Sequence, residues 1–299
     1  VTIQEGCDKF CSFCVVPFTR GPEYSRSRKS ILDEIKIMAQ NGVKEIILLG
    51  QNVNAWKDDA NESKAYTLGH LIEDIAKIDE ILSIRYTTSH PLDMNLELIK
   101  AHKNVDKLMP YLHLPIQSGS DNILKKMNRK HTASEYLKII ELVRKYCEDI
   151  AISSDFIVGH PGETNEDHKK TLDIINEVQF ASSYSFMYSE RPGTKSSELK
   201  EIVDDNVKKI RLQEVQNRLN HHQLIFNKKM ENLKLPILIT NKNKNNQFSG
   251  RSPYNQTVYI CEKNLPVIKN EKKLIGSMLN VKIVKSSQNS LLGAFSKNA

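Results

Sequence analysis

Three of the five cysteines in this chain of 299 residues fall within eight positions, in the segment GCDKFCSFCV at residues 6–15. Their spacing is Cys7-x3-Cys11-x2-Cys14. A structural zinc ion takes four protein ligands, usually from two separated pairs, and a disulfide would leave one of these thiols unpaired. Three thiolates from one loop can hold a 4Fe-4S cluster and leave its fourth iron open to a ligand that is not protein. The spacing therefore favours an iron–sulfur cluster, while a zinc ion with remote further ligands stays open as the alternative.

An open iron is suited to chelate the amino and carboxylate groups of S-adenosylmethionine. An electron from the reduced cluster would then cleave the sulfonium and release a 5′-deoxyadenosyl radical, which abstracts otherwise inert hydrogens. A fourth cysteine ligand would block that coordination site. Phe13 directly precedes the third cysteine of the loop, and we expect its ring to lie beside this cofactor and to face its adenine.

The remaining cysteines, Cys147 and Cys261, are isolated in the sequence. Cys147 lies near apolar neighbours at the end of a predicted helix, which favours a buried and unreactive thiol. An odd number of cysteines with three of them clustered is not typical of a disulfide framework and favours a reducing cytoplasm. No apolar run approaches the roughly 20 residues that cross a bilayer, so we expect no membrane partner.

The elements that must position the cysteine loop follow an alternating pattern. Amphipathic helices with recognisable first residues separate short runs rich in Ile, Val and Leu. Ser30 is predicted to cap the first long helix, and Thr132-x-x-Glu135 and Thr164-x-x-Asp167 are predicted capping boxes. The alternation predicts a parallel α/β sheet with an active site at the carboxyl ends of its strands. The predicted strands lie at residues 1–4, 45–50, 84–90, 111–118, 151–160 and 183–189.

Several polar or small residues follow these predicted strands, where side chains and backbone groups can meet a cofactor or substrate. Ordinary turn chemistry is the competing interpretation for each of them. The aspartate is equally well explained as a satisfied structural carboxylate, and the glycine as part of a Gly-Pro turn. The candidate cofactor-binding residues are Gln51, Asn52, Gln117, Ser118, Asp155 and Gly159.

The basic character of the chain is concentrated at its C-terminal end. Residues 229–299 carry 12 Lys and Arg against 3 Glu, whereas residues 1–228 carry 31 basic and 33 acidic residues. A small, locally basic domain is a candidate for binding RNA or DNA, because phosphate neutralisation supplies most of the non-specific affinity for nucleic acid. A solvated surface rich in Lys and Asn is the alternative interpretation.

The pattern of the sequence changes in the same region. A helix is predicted at residues 204–228, and the short strands and turn signals after it predict a β-barrel of about 70 residues, similar in kind to an OB-type fold. Arg251, Tyr254 and Lys282 in this barrel are candidates for phosphate contact and base stacking, although an aromatic residue in a small barrel is as often part of the core. We therefore expect three parts, residues 1–203, 204–228 and 229–299.

A series of segments resembles one enzyme family. GCDKFCSFCVVPFTRGPEYSR is similar to the cluster loop of the radical S-adenosylmethionine enzymes, and specifically of the methylthiotransferases. The segments CVVPFTRG, GQNVNAW and TTSHP favour the branch of that family that acts on tRNA, and SGRSPYNQTV at 249–258 resembles a TRAM-type RNA-binding barrel. The other matching segments are LLGQNVNAW at 48–56, RYTTSHP at 85–91, LHLPIQSGSDNILKKMNR at 112–129, ISSDFIVGHPGET at 152–164 and YSFMYSERPGT at 184–194.

The resemblance covers nearly the whole chain and implies a fold, a cofactor set and an activity. The implied fold is a partial (β/α)6 radical SAM barrel followed by a TRAM-type β-barrel. Cys7, Cys11 and Cys14 match the ligands of the radical-generating 4Fe-4S cluster, with S-adenosylmethionine on the open iron. The implied enzyme is a cytoplasmic transferase that adds a methylthio group at C2 of N(6)-isopentenyladenosine next to the anticodon. Its partner would be tRNA, through the anticodon stem-loop, whose bases unstack at low cost.

The chain departs from the family at two places. In members of the family, the part that resembles this chain is preceded by a domain with three further cysteines. Those cysteines hold a second 4Fe-4S cluster, where the inserted sulfur is delivered. Cys147 and Cys261 are too few and too scattered to replace those three. We therefore expect a fragment or a truncated gene product that binds cofactor but does not complete sulfur insertion alone. His160 also stands where the family pattern has Phe, which changes the polarity expected there.

Two other functions stay open at this point. The chain is alternatively an RNA-binding module whose triple-cysteine loop is a structural metal clip. It is also alternatively a methylthiotransferase that acts on a protein, as the branch directed to a ribosomal protein does. No motif identifies the electron donor or the source of sulfur.

Overall fold

The structure of the protein is a computed structural model that describes residues 1–58, 66–244, 247–260 and 274–295. Cys261 lies outside the described residues. The helices are α1 (Val16–Arg20), α2 (Arg28–Gln40), α3 (Leu68–Ala76), α4 (Leu96–Asn104), α5 (Asp121–Lys126), α6 (Ala133–Tyr146), α7 (Asn165–Val178) and α8 (Asp205–Lys229). The strands are β1 (Gln4–Glu5), β2 (Tyr24–Ser25), β3 (Glu45–Leu48), β4 (Lys57–Asp58), β5 (Tyr66–Thr67), β6 (Ser83–Tyr86), β7 (Tyr111–His113), β8 (Ala151–Val158), β9 (Ser182–Met187), β10 (Lys234–Lys242), β11 (Phe248–Arg251), β12 (Thr257–Ile260), β13 (Met278–Ser286) and β14 (Ser290–Phe295).

Parallel pairing in chain order organises the N-terminal two thirds of the protein. Residues before β1 pair with the end of β3 through a parallel bridge between Thr2 and Leu49, and β3 pairs in parallel with β6. Ile84 in β6 bridges Leu108 just before β7, and β7, β8 and β9 then pair in parallel. Successive strands that are neighbours and are joined by helices are the pattern of a β/α barrel. The predicted alternation of parallel strands and helices is confirmed.

The apolar core of this α/β part lies between the strands and the helices. In β3, Ile46 and Leu48 are buried, whereas Glu45 is partly and Ile47 largely exposed on the opposite face. The alternation follows because successive side chains of a strand point to opposite faces. One face of the parallel strands therefore packs against the helices, and the other is left to line an internal concave surface.

The predicted helix starts were right at two positions and wrong at one. The capping boxes of Thr132 with Glu135 and of Thr164 with Asp167 are both formed. The N-cap of α2, however, is Ser27, whose hydroxyl accepts a hydrogen bond from the backbone N–H of Ser30. The prediction placed the cap one turn too late because both serines have a side chain that can cap a helix.

A closed β-barrel follows helix α8. Its strand order is β10-β11-β12-β14-β13, with every pairing antiparallel except that of β12 with β14. The barrel has its own apolar cluster, which includes Ile237, Phe248, Val258 and Val281. The predicted small C-terminal β-barrel is confirmed.

Helix α8 packs on both parts of the chain. Val215 and Leu219 are buried in the core of the α/β part, whereas Phe226 packs against the apolar cluster of the barrel. A buried ion pair of 2.8 Å between Arg211 Nη1 and Glu163 Oε2 anchors the first half of the helix to the segment after β8. Among the residues with described structure, no helix has the length and apolar character that crossing a bilayer requires.

Candidate active site

A cavity of about 380 Å³ lies at the carboxyl ends of the parallel strands. The three clustered cysteines line it from the loop after β1. Residues that follow β3, β6 and β7 line it from the other side. We call it the cysteine cavity. Since the sequence places these residues far apart, the meeting of strand ends in a parallel sheet is what brings them together.

Eight of the predicted site residues meet in this cavity. They are Cys7, Cys11 and Cys14 of the loop, with Phe13, Gln51, Asn52, Gln117 and Asp155. They come together because each lies in the loop or at the carboxyl end of a strand, and their roles as ligands or cofactor-binding residues stay predictions.

Two other predicted cofactor-binding residues, Ser118 and Gly159, do not line the cysteine cavity. The Ser118 hydroxyl lies 3.3 Å from the Thr171 hydroxyl and accepts a hydrogen bond of 3.2 Å from the Ser120 N–H. Gly159 has a φ of 70°, and a Cβ built on it would lie 2.3 Å from Cγ of Lys208 in α8. Both positions serve the packing of helices behind the strands, so turn and packing chemistry accounts for them.

Two side-chain amides, those of Gln4 and Gln51, hold the start of the cysteine loop. Gln4 is fully buried, and its Nε2 donates to the carbonyl of Gly6 over 2.8 Å. Its Oε1 accepts from the N–H of Asn52 over 2.8 Å. The N–H of Gly6 in turn donates to Oε1 of Gln51 over 2.8 Å. The loop after β3 therefore fixes where the cysteine loop begins, and the predicted residue Gln51 acts in part as a support for it.

Contacts with the end of α5 hold the rest of the loop. The hydroxyl of Ser12 donates to the carbonyl of Lys126 over 2.7 Å, and its N–H donates to the carbonyl of Met127 over 3.0 Å. Asn128 donates to the carbonyl of Phe10 over 2.7 Å. The cysteines are thus carried by a loop that is hydrogen-bonded at both ends, which is the preorganisation that a cofactor site requires.

His160, the residue that departs from the family pattern, lies behind this loop. Its Nε2 is 2.8 Å from the hydroxyl of Ser196, which donates to the hydroxyl of Ser12 over 2.8 Å. The imidazole meets the ring of Tyr188 edge to face at 5.2 Å. Burial lowers the pKa of His160 to about 4. A neutral, hydrogen-bonded imidazole therefore occupies this position and supports the cysteine loop through Ser196.

Arg129 places a positive charge at one of the cysteines. Its Nη1 donates to Sγ of Cys11 over 3.4 Å, and its Nη2 donates to the carbonyl of Pro115 over 2.5 Å. The side chain is 4% exposed. The sequence did not single out this residue, because it follows a helix whose packing beside the cysteine loop is not visible in the local pattern.

The thiols of the loop lie in a partly desolvated environment. Burial raises the pKa of Cys7 and of Cys14, and the hydrogen bonds that each sulfur accepts from the backbone offset only part of this effect. Binding of a metal cluster requires thiolates, so loading of the site would release protons. The sulfur of Cys11 lies beside a charged donor, the Nη1–H of Arg129.

Several polar atoms at the wall of the cavity are left without a partner. Among the described residues, Asn52 Oδ1, Ser89 Oγ and His90 Nε2 are buried and accept or donate no hydrogen bond. All three residues line the cysteine cavity. Buried polar atoms are normally paired. They therefore fit a cavity that takes a polar ligand such as the amino acid and ribose groups of S-adenosylmethionine.

The arrangement of the cysteines differs from that of a single-ion site. No group of three or more His, Cys, Asp or Glu side chains within the described ranges is positioned to hold one metal ion. Ligands of a tetrahedral zinc ion must converge on one point, whereas the ligands of a cluster bind separate irons. The three thiols line one cavity.

Asp155 and His113 form the floor of the cavity. Their closest atoms, Asp155 Oδ2 and His113 Nε2, are 3.6 Å apart. Nδ1 of His113 lies 3.0 Å from the hydroxyl of Ser153. The His113–Ser153 contact is within hydrogen-bond distance, whereas the Asp155–His113 separation is too long for a tight ion pair, and both residues line the cavity.

The predicted RNA-binding residues occupy different positions in the C-terminal barrel. Arg251 at the end of β11 and Lys282 in β13 are exposed. Tyr254 is half-buried, its ring meets Phe226 edge to face at 5.6 Å, and burial raises its pKa. Its ring is therefore part of the barrel packing as well as part of the surface.

The sequence profile of the Radical SAM superfamily matches residues 1–175. The profile covers more than half of the chain and includes the three clustered cysteines, so the protein belongs to the Radical SAM superfamily. Enzymes of this superfamily use a 4Fe-4S cluster and S-adenosylmethionine, which are the cofactors predicted from the cysteine spacing.

Two curated relatives cover nearly all of the chain. The protein is 49% identical over 294 residues to a relative from Ehrlichia ruminantium and 48% identical over 294 residues to one from Bartonella tribocorum. Both relatives are named tRNA-2-methylthio-N(6)-dimethylallyladenosine synthase. The matches include 98% of this chain but only 64% and 62% of the respective relatives, so the chain spans slightly less than two thirds of their length.

Solved structures of one radical enzyme share the fold. The radical S-adenosylmethionine methyltransferase TsrM from Kitasatospora setae, with cobalamin and a [4Fe-4S] cluster bound, matches with a TM-score of 0.52 at 16% identity. The match covers 66% of this chain and 38% of that one. Similarity at this level of identity concerns the fold alone, and it confirms the predicted α/β architecture of radical SAM type.

Proposed function

We propose that this chain acts in a tRNA methylthiotransferase that modifies C2 of N(6)-isopentenyladenosine next to the anticodon. The observation that carries the proposal is the cysteine cavity, where three thiols meet unpaired polar atoms at the carboxyl ends of the strands. The names of relatives that are 49% and 48% identical support the choice of substrate. C2–H of adenine is a poor acid, so radical abstraction of its hydrogen is a reasonable route.

In this proposal Cys7, Cys11 and Cys14 hold the 4Fe-4S cluster. When bound, the cluster and S-adenosylmethionine supply a 5′-deoxyadenosyl radical that abstracts hydrogen from the substrate. S-adenosylmethionine is bound and oriented by the unpaired atoms of Asn52, Ser89 and His90 and by the other predicted cofactor-binding residues that line the cavity. The latter residues are Phe13, Gln51, Gln117 and Asp155.

Residues that bond to the cysteine loop hold its three cysteines in position. Gln4 and Gln51 fix the backbone of Gly6, the residue before the first cysteine. The ion pair of 2.7 Å between Lys9 and Asp93 joins the middle of the loop to the segment after β6. Asp93 also accepts from Asn52 Nδ2 over 2.8 Å, so one carboxylate couples the cysteine loop to a cofactor-binding residue.

The C-terminal barrel is proposed to bind the RNA. Its basic composition supports this role, with Arg251, Tyr254 and Lys282 as the contacting residues and the anticodon stem-loop of tRNA as the ligand. The division into a radical SAM domain at 1–203, a connecting helix at 204–228 and a TRAM-type domain at 229–299 belongs to the same proposal. So does a cytoplasmic location, where tRNA is found.

Anaerobic reconstitution with iron and sulfide tests the core of this proposal. The chain should take up about four irons per molecule and, after reduction, cleave S-adenosylmethionine to 5′-deoxyadenosine. Cys11→Ala should abolish both, whereas Cys147→Ala is the matched control because Cys147 lies outside the cavity. Stoichiometric zinc without iron would overturn the proposal and favour the structural metal clip.

A further inference from the structure

A second cavity, of about 260 Å³, lies between the α/β part and the C-terminal barrel. We call it the junction groove, and its lining includes Glu45, Arg85, His113, Tyr184, Arg251 and Asn255. His113 lines both this groove and the cysteine cavity. The two spaces are therefore neighbours that share one wall.

The junction is held in a defined geometry by Arg85. This buried arginine in β6 donates through Nη2 to the carbonyl of Ser252 over 2.7 Å and through Nη1 to the carbonyl of Pro253 over 3.0 Å. The hydroxyl of Ser252 also bonds the side chain of Gln256 over 2.7 Å. The turn that carries Arg251 is thus fixed against the α/β part, so the groove exists before any ligand arrives.

The charges in the groove favour an anionic ligand. Among the described residues that line it, Glu45 alone has a carboxylate, which accepts from Nε of Arg85 over 3.0 Å and from the hydroxyl of Ser83 over 2.7 Å. Arg251 is exposed, and Nη1 of its guanidinium donates to the carbonyl of Asn255 over 3.1 Å, which orients it. Because Arg85 neutralises the carboxylate of Glu45, the exposed guanidinium of Arg251 gives the groove a net positive charge. A surface of this kind is suited to binding phosphate.

The same groove presents an exposed aromatic ring. Tyr184 is 62% exposed. In β9 it pairs in register with Asp155 of β8, and side chains in register on parallel strands point to the same face. The ring therefore lies on the face of the sheet that carries the cysteine cavity, next to a residue of that cavity. An exposed aromatic face between a cofactor site and a cation is suited to stacking of a nucleic-acid base.

We propose that the junction groove binds the nucleotide that neighbours the modified adenosine, with its base stacked on Tyr184 and its phosphate bonded by Arg251. This inference rests on the proposed function and extends it, since it assigns Tyr184 a role in reading the RNA. The adenosine itself occupies the cysteine cavity, and the shared wall at His113 separates the two bases.

Binding of a fluorescent anticodon stem-loop RNA to this chain tests the inference. Tyr184→Leu should weaken binding about tenfold, because stacking on one aromatic ring contributes that order of affinity. Removing the neighbouring base from the RNA should abolish the difference between Tyr184→Leu and the wild type. Arg251→Gln should make the plot of the logarithm of the association constant against the logarithm of the salt concentration less steep by about one unit, as expected for the loss of one phosphate contact.

Matched controls isolate the groove. Tyr259→Leu removes another partly exposed tyrosine, which lines a different concavity of the barrel. Arg218→Gln removes another exposed arginine that bonds an asparagine, on α8. Both should bind RNA as the wild type does. If wild-type chain binds RNA and Tyr184→Leu equals Tyr259→Leu, the inference fails and the proposed function stands. Absence of RNA binding by the wild-type chain would overturn both.

Discussion

Arg129 donates a hydrogen bond to the sulfur of Cys11, from a position 118 residues further along the chain. The guanidinium is also fixed by the carbonyl of Pro115, so its charge is held at the sulfur. Hydrogen bonds and positive charge at cluster sulfurs stabilise the reduced cluster and raise its reduction potential. This contact gives the proposed radical site a residue that tunes electron uptake without being a ligand.

Replacing Arg129 should therefore change the potential and leave the cluster in place. Arg129→Gln is expected to lower the midpoint potential of the reconstituted cluster by about 60 mV, the equivalent of a tenfold change in a one-electron couple. A redox titration followed by electron paramagnetic resonance measures it. Arg129→Lys, which keeps a charge, should recover part of the shift. An unchanged potential with normal iron content would contradict this role.

Gly6 is expected to be indispensable for the cysteine loop. Its φ is 71°, and a Cβ would lie 2.0 Å from the carbonyl oxygen of Pro22. Gly6→Ala should therefore lower the free energy of unfolding by about 3 kcal/mol and reduce iron uptake. Gly42, which follows α2, provides the matched control, because its φ is 89° and its Cβ would meet nothing within 4 Å. Gly42→Ala should cost only the backbone term of a left-handed residue, about 1 kcal/mol in urea denaturation. Equal losses for the two variants would show that the contact with Pro22 is unimportant.

Acid should destabilise the α/β part through its buried histidines. Burial lowers the pKa of His102, His131 and His160 to about 4 each, from 6.5. Because the unfolded chain binds protons on these residues below pH 6.5 and the folded chain does not, the free energy of unfolding falls as the pH drops from 6.5 toward 4. Each histidine should contribute a loss of up to about 2 kcal/mol between pH 7 and pH 5.

Urea denaturation at several pH values measures this dependence. His102 has only the hydroxyl of Tyr86 as a side-chain partner among the described residues, at 2.7 Å. His102→Gln should therefore reduce the pH dependence of the free energy of unfolding by the contribution of one histidine. It should also lower the stability at pH 7. Superimposable denaturation curves at pH 7 and pH 5 for the wild type would contradict the expectation.

Arg85 should be essential for the junction between the two parts of the chain. Arg85→Met removes the donors to Ser252 and Pro253 and leaves the carboxylate of Glu45 without its cation. We expect a loss of about 3 kcal/mol in the free energy of unfolding, since breaking a buried pair from one side leaves an uncompensated charge. Thermal denaturation and limited proteolysis of the variant should report it.

A double variant provides the control for this ion pair. Arg85→Met with Glu45→Met removes both charges and should regain part of the stability, because neither charge is then left unpaired. The double variant still lacks the bonds to the barrel turn. If it were no more stable than Arg85→Met alone, the loss would belong entirely to those bonds.

The sequence predicted the parts of the site that depend on local pattern. The cysteine spacing indicated three candidate cofactor ligands, and the ends of predicted strands indicated Gln51, Asn52 and Asp155, which line the same cavity because parallel strands bring those ends together. It could not identify Arg129 or Gln4. Their contacts join segments whose proximity depends on how α5 and the first strand pack, and no spacing in the sequence encodes that packing.

The positions of Ser118 and Gly159 outside the lining of the cysteine cavity have a common physical reason. Ser118 and Gly159 follow strands as predicted, but a residue at a strand end faces either the cavity or the helices behind it. Here Thr171 and Lys208 occupy the space next to them. Whether a turn residue faces the cavity or the helices depends on the local direction of the backbone. Amino-acid composition does not determine that direction. The same limitation separates Ser27 from Ser30 as the cap of α2.

Helix α8 contributes side chains to two apolar cores, and this affects where the chain can be divided into parts for a fusion protein. Phe226 belongs to the packing of the barrel, yet it precedes the expected barrel boundary at residue 229. A graft of the barrel onto another enzyme that begins at 229 would leave this ring behind and open the barrel core to water. The transplantable unit therefore begins within the helix, after Leu219 and before Phe226, so the functional border and the folding border of the chain do not coincide.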